Sequence, residues 1–193
     1  LAQPSGLTAD ITAASLNVTG VTASNKVYDA TTAALLSGGS LVGVIGGDAV
    51  SLTTTTTGVF DTKNVGVGKT VTGVGFTISG ADAGNYTLAQ PVTTADITPA
   101  SLTINGVTAD SRVYNALTNA TLSGTASLVG VFVGDTVNLD ETSVSANFNN
   151  KNVGTNKAVT VLGYTINGTD AGNYTLAQPS GLTADITAAS LNV

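Results

Sequence analysis

The sequence predicts an all-β protein made of two tandem antiparallel β-sandwich domains, and three observations predict it. Runs of Val, Thr, Leu and Ile separated by Gly, Asn and Asp read as strands and turns. No 11-residue stretch carries a convincing helical stripe. The chain also repeats itself: Leu1 to Val18 recurs unchanged at Leu176 to Val193, and a close variant starts at Leu88, so the period is about 88 residues. That is domain-sized, whereas solenoid rungs repeat every roughly 20 to 29 residues.

Within the first repeat the expected strands follow the apolar runs in order. Ala14 to Ala23 ends at Ser24-Asn25, and Ala33 to Val44 ends at the turn Gly46-Gly47-Asp48. Ala49 to Thr56 follows that turn, and Lys69 to Ser79 lies between two Gly-rich stretches. Tyr86 to Gln90 opens after Gly84-Asn85, and Thr93 to Thr98 is bounded by Pro91 and Pro99. Six or seven strands in such a length fit a sandwich. A short helix within Thr31 to Leu41 is the local ambiguity, and a β-grasp-like bead with one short helix is the alternative fold.

The repeats align almost throughout. Val27-Tyr28-Asp29 matches Val113-Tyr114-Asn115, and Lys63-Asn64-Val65-Gly66 matches Lys151-Asn152-Val153-Gly154. Asp82-x-Gly84-x-Tyr86 returns as Asp170-x-Gly172-x-Tyr174. This motif resembles the tyrosine corner of immunoglobulin-like sandwiches, in which a phenol hydroxyl bonds upstream backbone. Structural roles are therefore expected for Tyr86, Tyr174, Asp82, Asp170, Gly84 and Gly172, and core or corner roles for Tyr28 and Tyr114.

The joint between repeats is read from strand phase. In Ala95-Asp96-Ile97 the apolar residues fall on odd positions, but after Pro99-Ala100 they fall on even ones, Leu102 and Ile104, so the buried face changes there. Pro99 thus marks the boundary. The expected division is residues 12–99 and 100–187 as two repeat domains. Residues 1–11 would be the last strand of an upstream repeat, and residues 188–193 the start of a downstream one. So short a joint should stack the beads end to end. The unpaired terminal strands should be disordered or borrow a partner.

Composition removes several function classes. Six basic residues against twelve acidic ones, a net charge of −6, disfavour nucleic acid. No apolar run approaches the ~20 residues of a membrane helix. With no Cys and no His, Ser-His-Asp and Cys-His catalysis and ordinary zinc sites are excluded. A carboxylate glycosidase is disfavoured by a single Glu and the lack of Trp. No catalytic residue is assigned.

No cofactor is expected. Asp48, Asp61, Asp82 and Asp110 raise calcium at the joints as the one metal to consider, yet no Asp-x-Asp-x-Asp loop occurs. Lys63 and Lys151, with Lys69 and Lys157 behind them, raise an intramolecular Lys-Asn isopeptide bond, which needs a buried acid beside the pair. Exposed lysines are the simpler reading.

The run Lys26-Val27-Tyr28-Asp29-Ala30-Thr31-Thr32-Ala33, with Phe60-x-x-Lys63-Asn64-Val65-Gly66 and Ala83-Gly84-Asn85-Tyr86-Thr87-Leu88, resembles the YDG-type repeats of bacterial filamentous-haemagglutinin-like exoproteins. The likeness covers nearly the whole chain, twice. Ala30 and Ala116 stand where that family has Gly, and Asn115 where it has Asp, which bears on the local turn more than on the fold. The resemblance implies a very large secreted or cell-surface bacterial adhesin acting in attachment or biofilm formation.

The expected function is a structural stalk projecting a distal adhesive domain. Its partners would be neighbouring repeats of the same chain, with polysaccharide or a host or cell surface engaged through other domains, and neither nucleic acid nor membrane insertion involved. The alternative is that the repeats bind polysaccharide or self-associate weakly and multivalently.

Overall fold

The computed structural model describes residue 3 and residues 5–191, and the protein is all-β. It divides into two compact units. The first comprises Lys26 and the residues before it together with Thr31–Thr98, and the second comprises Val27–Ala30 together with Pro99 and the residues after it.

The first repeat contributes β1 (Ala14–Ala23), β2 (Lys26–Val27), β3 (Ala33–Val42), β4 (Ser51–Thr53), β5 (Thr57–Phe60), β6 (Gly66–Gly73), β7 (Thr77–Ser79), β8 (Tyr86–Leu88) and β9 (Val92–Thr98). Seven of these form one sheet in the order β2-β9-β6-β5-β3-β1-β8, while β4 and β7 form a separate ribbon. The β1–β3, β3–β5, β5–β6 and β6–β9 ladders are antiparallel, while at one edge β8 runs parallel to β1 with Leu16 opposite Leu88. The sheet curls until β9 packs on β1, enclosing Leu16, Leu36, Phe60, Val71, Phe76 and Ile97.

Period-two patterning explains these strands. In β3, Ala34 and Leu36 are buried while Ala33 and Leu35 are exposed, which a helix would not produce. The helix considered between Thr31 and Leu41 is therefore a strand. The only helical elements among the described residues are three-residue 3-10 turns at Ala83–Asn85 and Ala171–Asn173, so the helix of the β-grasp alternative is not found. The stretch Lys69 to Ser79 is broken in two by the turn at Val74-Gly75, and β2 and β5 are additional short strands.

The second repeat contributes β10 (Ala100–Ala109), β11 (Arg112–Val113), β12 (Leu122–Val129), β13 (Asn138–Asp140), β14 (Ser145–Phe148), β15 (Gly154–Leu162), β16 (Thr165–Asn167), β17 (Tyr174–Leu176) and β18 (Thr183–Thr187). The antiparallel pairing follows the first repeat and β17 again runs parallel to β10; β11 runs parallel to β18. One ladder is thinner: where β3 and β5 pair along three residues, the second unit keeps an isolated bridge, Asn119 to Asn147. The segment from Tyr114 to Leu128 is one residue longer than that from Tyr28 to Leu41, and the extra residue is taken up within β12, where two residues between Gly124 and Ser127 face Gly106 alone. The core is Ile104, Phe148, Val159, Val161, Tyr164 and Ile186.

The change of buried face around Pro99 is visible in the structure. Ala95 and Ile97 are buried on β9, and Ala100, Leu102 and Ile104 on β10, while Pro99 itself is exposed between them. Residues 5–11 and 188–191, where unpaired terminal strands were expected, carry no regular secondary structure. Residues 1, 2, 4, 192 and 193 of those same segments lie outside the described residues.

Candidate functional site

The polar side chains of greatest structural consequence gather around one carboxylate. In the second unit the chain turns at Val131-Phe132-Val133-Gly134-Asp135, closed by Asp135 N donating to Phe132 O at 3.1 Å. This places the Asp135 carboxylate beside the first residue of β17. The Tyr174 hydroxyl donates to Asp135 Oδ2 at 2.6 Å and accepts from Phe132 N at 3.0 Å. The Tyr28 hydroxyl donates to the same oxygen at 2.7 Å. Tyr28, which belongs to this unit and is 1% exposed, sets its ring edge-on to Tyr174 at 5.3 Å and to Phe132 at 5.9 Å between centroids, a favoured aromatic geometry.

Burial, followed by the Asp135 hydrogen bond, pushes the Tyr174 phenol up to about 12. Near neutral pH the phenol is therefore a neutral donor. The arrangement holds a turn and a strand together.

The first unit repeats the frame. Asp48 N donates to Ile45 O at 3.1 Å, Tyr86 OH donates to Asp48 Oδ2 at 2.5 Å, and Tyr86 OH accepts from Ile45 N at 3.1 Å. The hydrogen bond to Asp48, ahead of burial, raises the Tyr86 phenol. Beside this frame lies a cavity of about 310 Å³ lined by Ile11, Thr12, Ala13, Ile45, Asp48 and Tyr86, among others.

The corner motif therefore works over a longer range than its sequence form implies. Each Tyr hydroxyl does meet upstream backbone, but as an acceptor, and across 41 residues for Tyr86 and 42 for Tyr174. Asp82 acts separately: its Oδ2 accepts from Ala49 N at 2.8 Å while its own N donates to Ala49 O at 3.3 Å. Asp170 makes the same pair with Thr136, at 2.9 and 3.2 Å. Gly84 and Gly172 sit in the 3-10 turns with open space where a Cβ would be and no positive φ, so these turns do not demand glycine. Tyr114 is partly buried against the second core and lines a cavity of about 470 Å³ with Asn152, Val153 and Leu191.

The residues considered for other chemistry are dispersed. Asp61 pairs with Lys69 at 2.7 Å, which holds its carboxyl below the usual range. Asp110 Oδ2 accepts from Ser123 Oγ at 2.7 Å. Among the described residues no three acidic side chains gather in a metal-sized group. Lys157 Nζ does reach Asn150 Oδ1 at 2.7 Å, but Asn150 is exposed, which is not the buried setting that isopeptide chemistry needs.

Three devices went unread in the sequence although each recurs in register. Lys26 Nζ donates to Thr31 O and Ala33 O, both at 2.9 Å, and lies 5.5 Å from the Phe60 ring centroid. Arg112 takes that place over Phe148, bonding Leu117 O and Asn115 Oδ1. Asp96 and Asp185 accept from Gly68 N and Asn156 N, both at 2.7 Å, fixing the irregularity in the neighbouring strand. Gln90 and Gln178 bond the backbone of Phe76 and Tyr164.

The pattern common to both units is that of a known repeat. The YDG domain family matches residues 12–95 and again residues 98–181. No curated protein and no solved structure matches the chain. With both repeats covered, the chain belongs to the YDG domain family.

Proposed function

We propose that these two YDG domains are stalk repeats of a large secreted or cell-surface bacterial adhesin, projecting a distal adhesive domain in attachment or biofilm formation. The observation that carries this reading is that both units spend the same Tyr, Asp, Gln and basic side chains on turns and strand ends. Such near-identical, internally committed beads suit an array whose length is the useful property. The absence of His, Cys and Trp from the sequence supports a non-catalytic role, and the acidic, weakly charged composition suits an exported polypeptide. The resemblance to repeats of haemagglutinin-like exoproteins supports the compartment and the bacterial origin.

Small-angle scattering with calcium and then with chelator tests this. A rigid, extended particle unchanged by chelation is expected. A compact particle, or one whose length depends on calcium, would remove the metal-independent spacer.

A further inference from the structure

The Asp135 cluster contains a seat and its occupant. The seat is the Phe132–Asp135 turn with Tyr174, and the occupant is Tyr28 in the segment Val27–Ala30, folded as part of the second unit. The first unit has the same seat in Ile45, Asp48 and Tyr86, with the same internal hydrogen bonds. Where the second unit holds Tyr28 against Asp135, the first has the cavity of about 310 Å³. A carboxylate oxygen accepts more than one donor, and Asp135 Oδ2 already does so for two phenols.

The chain also carries a second occupant. Tyr114 is the register partner of Tyr28, two residues before an alanine held at the same positive φ, 62° at Ala30 and 67° at Ala116. Tyr28 is 1% exposed, whereas Tyr114 is only partly buried beside its own cavity. One seat is thus filled, while a like seat and a like tyrosine remain in different units.

We infer that the Ile45–Asp48–Tyr86 face is a docking site for a second copy of this chain, which inserts its Tyr114 so that the phenol donates to Asp48 Oδ2. The contact joins unlike surfaces, so it propagates head to tail and does not close as a symmetric dimer. This inference stands apart from the stalk reading and requires no adhesin. Association should be weak, because the seat offers aliphatic Ile45 where the filled one offers Phe132. The filled seat also benefits from tethering, equivalent to an effective concentration on the order of millimolar.

Sedimentation equilibrium from micromolar to ~1 mM chain reads the outcome. The average mass of the native chain should rise steadily with concentration. Tyr114→Ala and Asp48→Ala should each remain monomeric. Mixed in equal amounts they should form a dimer and nothing larger, since one supplies an intact seat and the other an intact tyrosine. Tyr114→Phe, which keeps the ring, should weaken association at least tenfold while leaving the circular dichroism spectrum unchanged. A native chain that stays monomeric to ~1 mM, a mixture that remains at monomer mass, or a Tyr114→Phe chain that associates like the native one would each overturn the inference.

Discussion

The side-chain amide of Gln90 pairs with both backbone groups of Phe76. Gln90 Oε1 accepts from Phe76 N at 3.2 Å and Nε2 donates to Phe76 O at 2.9 Å. Gln178 does the same for Tyr164, at 3.1 and 2.8 Å. Phe76 and Tyr164 are buried aromatics at the break between the long strand and its short successor. There no neighbouring strand supplies a ladder, and the glutamine stands in for one.

Replacing Gln178 with Leu should therefore destabilise the second unit by about 1–3 kcal/mol, since Tyr164 N and O lose their partner in a buried place. Gln178→Glu should be worse near neutral pH, where a carboxylate would face the Tyr164 carbonyl, and should partly recover below pH 4 as the carboxyl gains a proton. Urea unfolding at the two pH values checks both. Equal stability of the three proteins would mean that the amide contacts contribute nothing net.

Ala30 and Ala116 stand at φ 62° and 67°, in the left-handed region that costs a side-chain-bearing residue about 1–2 kcal/mol. Changing either to Gly removes that strain but adds about 0.4–1 kcal/mol of unfolded-state entropy to be lost. The expected result is a gain of up to ~1 kcal/mol per site, and a clear loss for Ala116→Val. Thermal unfolding of the single and double glycine variants checks it, and a destabilised double variant would refute it.

Much of the fold was legible because alternation and repetition are local properties. β1 was read to the residue, and the change of buried face around Pro99 follows from the parity of Ile97 and Leu102. The short strands were not legible: β5, Thr57–Phe60, follows a run of threonines that fixes no face, and β4 is only three residues long. The polar cluster was half legible. Tyr86 and Tyr174 announced themselves through the corner motif, but Asp48 was weighed only as a turn residue or calcium ligand and Asp135 was not singled out. Their partners lie 38 and 39 positions away, a distance that periodicity does not span. The second Gly-Asp turn in register was the available signal. Ala30, noted as a departure from the family's glycine, proved to occupy a glycine's conformation.

Gly80 holds φ +125°, and a Cβ there would lie 2.1 Å from Ala49 O. Two residues on, Asp82 bonds Ala49 through both its backbone and its carboxylate. Gly80→Ala should push the two segments apart and destabilise the first unit by about 1–3 kcal/mol, and Asp82→Ala by about 1 kcal/mol through loss of one hydrogen bond. Because the two changes break the same junction, the double variant should lose less than the sum, which a double-mutant cycle measures. Strict additivity would show that Gly80 and Asp82 act independently.

Alkaline titration reads the phenol cluster directly. An unperturbed tyrosine ionises near 10, whereas burial and then the hydrogen bond to Asp135 push Tyr174 to about 12. Since its folded value lies above its unfolded one, its contribution to stability is fully present below pH 10 and is lost as pH rises through about 12. Tyr86 and Tyr164 are raised as well, Tyr86 chiefly by its bond to Asp48 and Tyr164 by burial. Absorbance at phenolate wavelengths should thus show Tyr86, Tyr164 and Tyr174 ionising above the ordinary phenol range, with the Tyr174 component coinciding with loss of the folded second unit. Asp135→Asn should bring the Tyr174 component down without returning it to 10, because burial, the larger cause, survives the substitution. A single uniform titration near 10 with the fold intact would contradict the geometry of Tyr174 and Asp135.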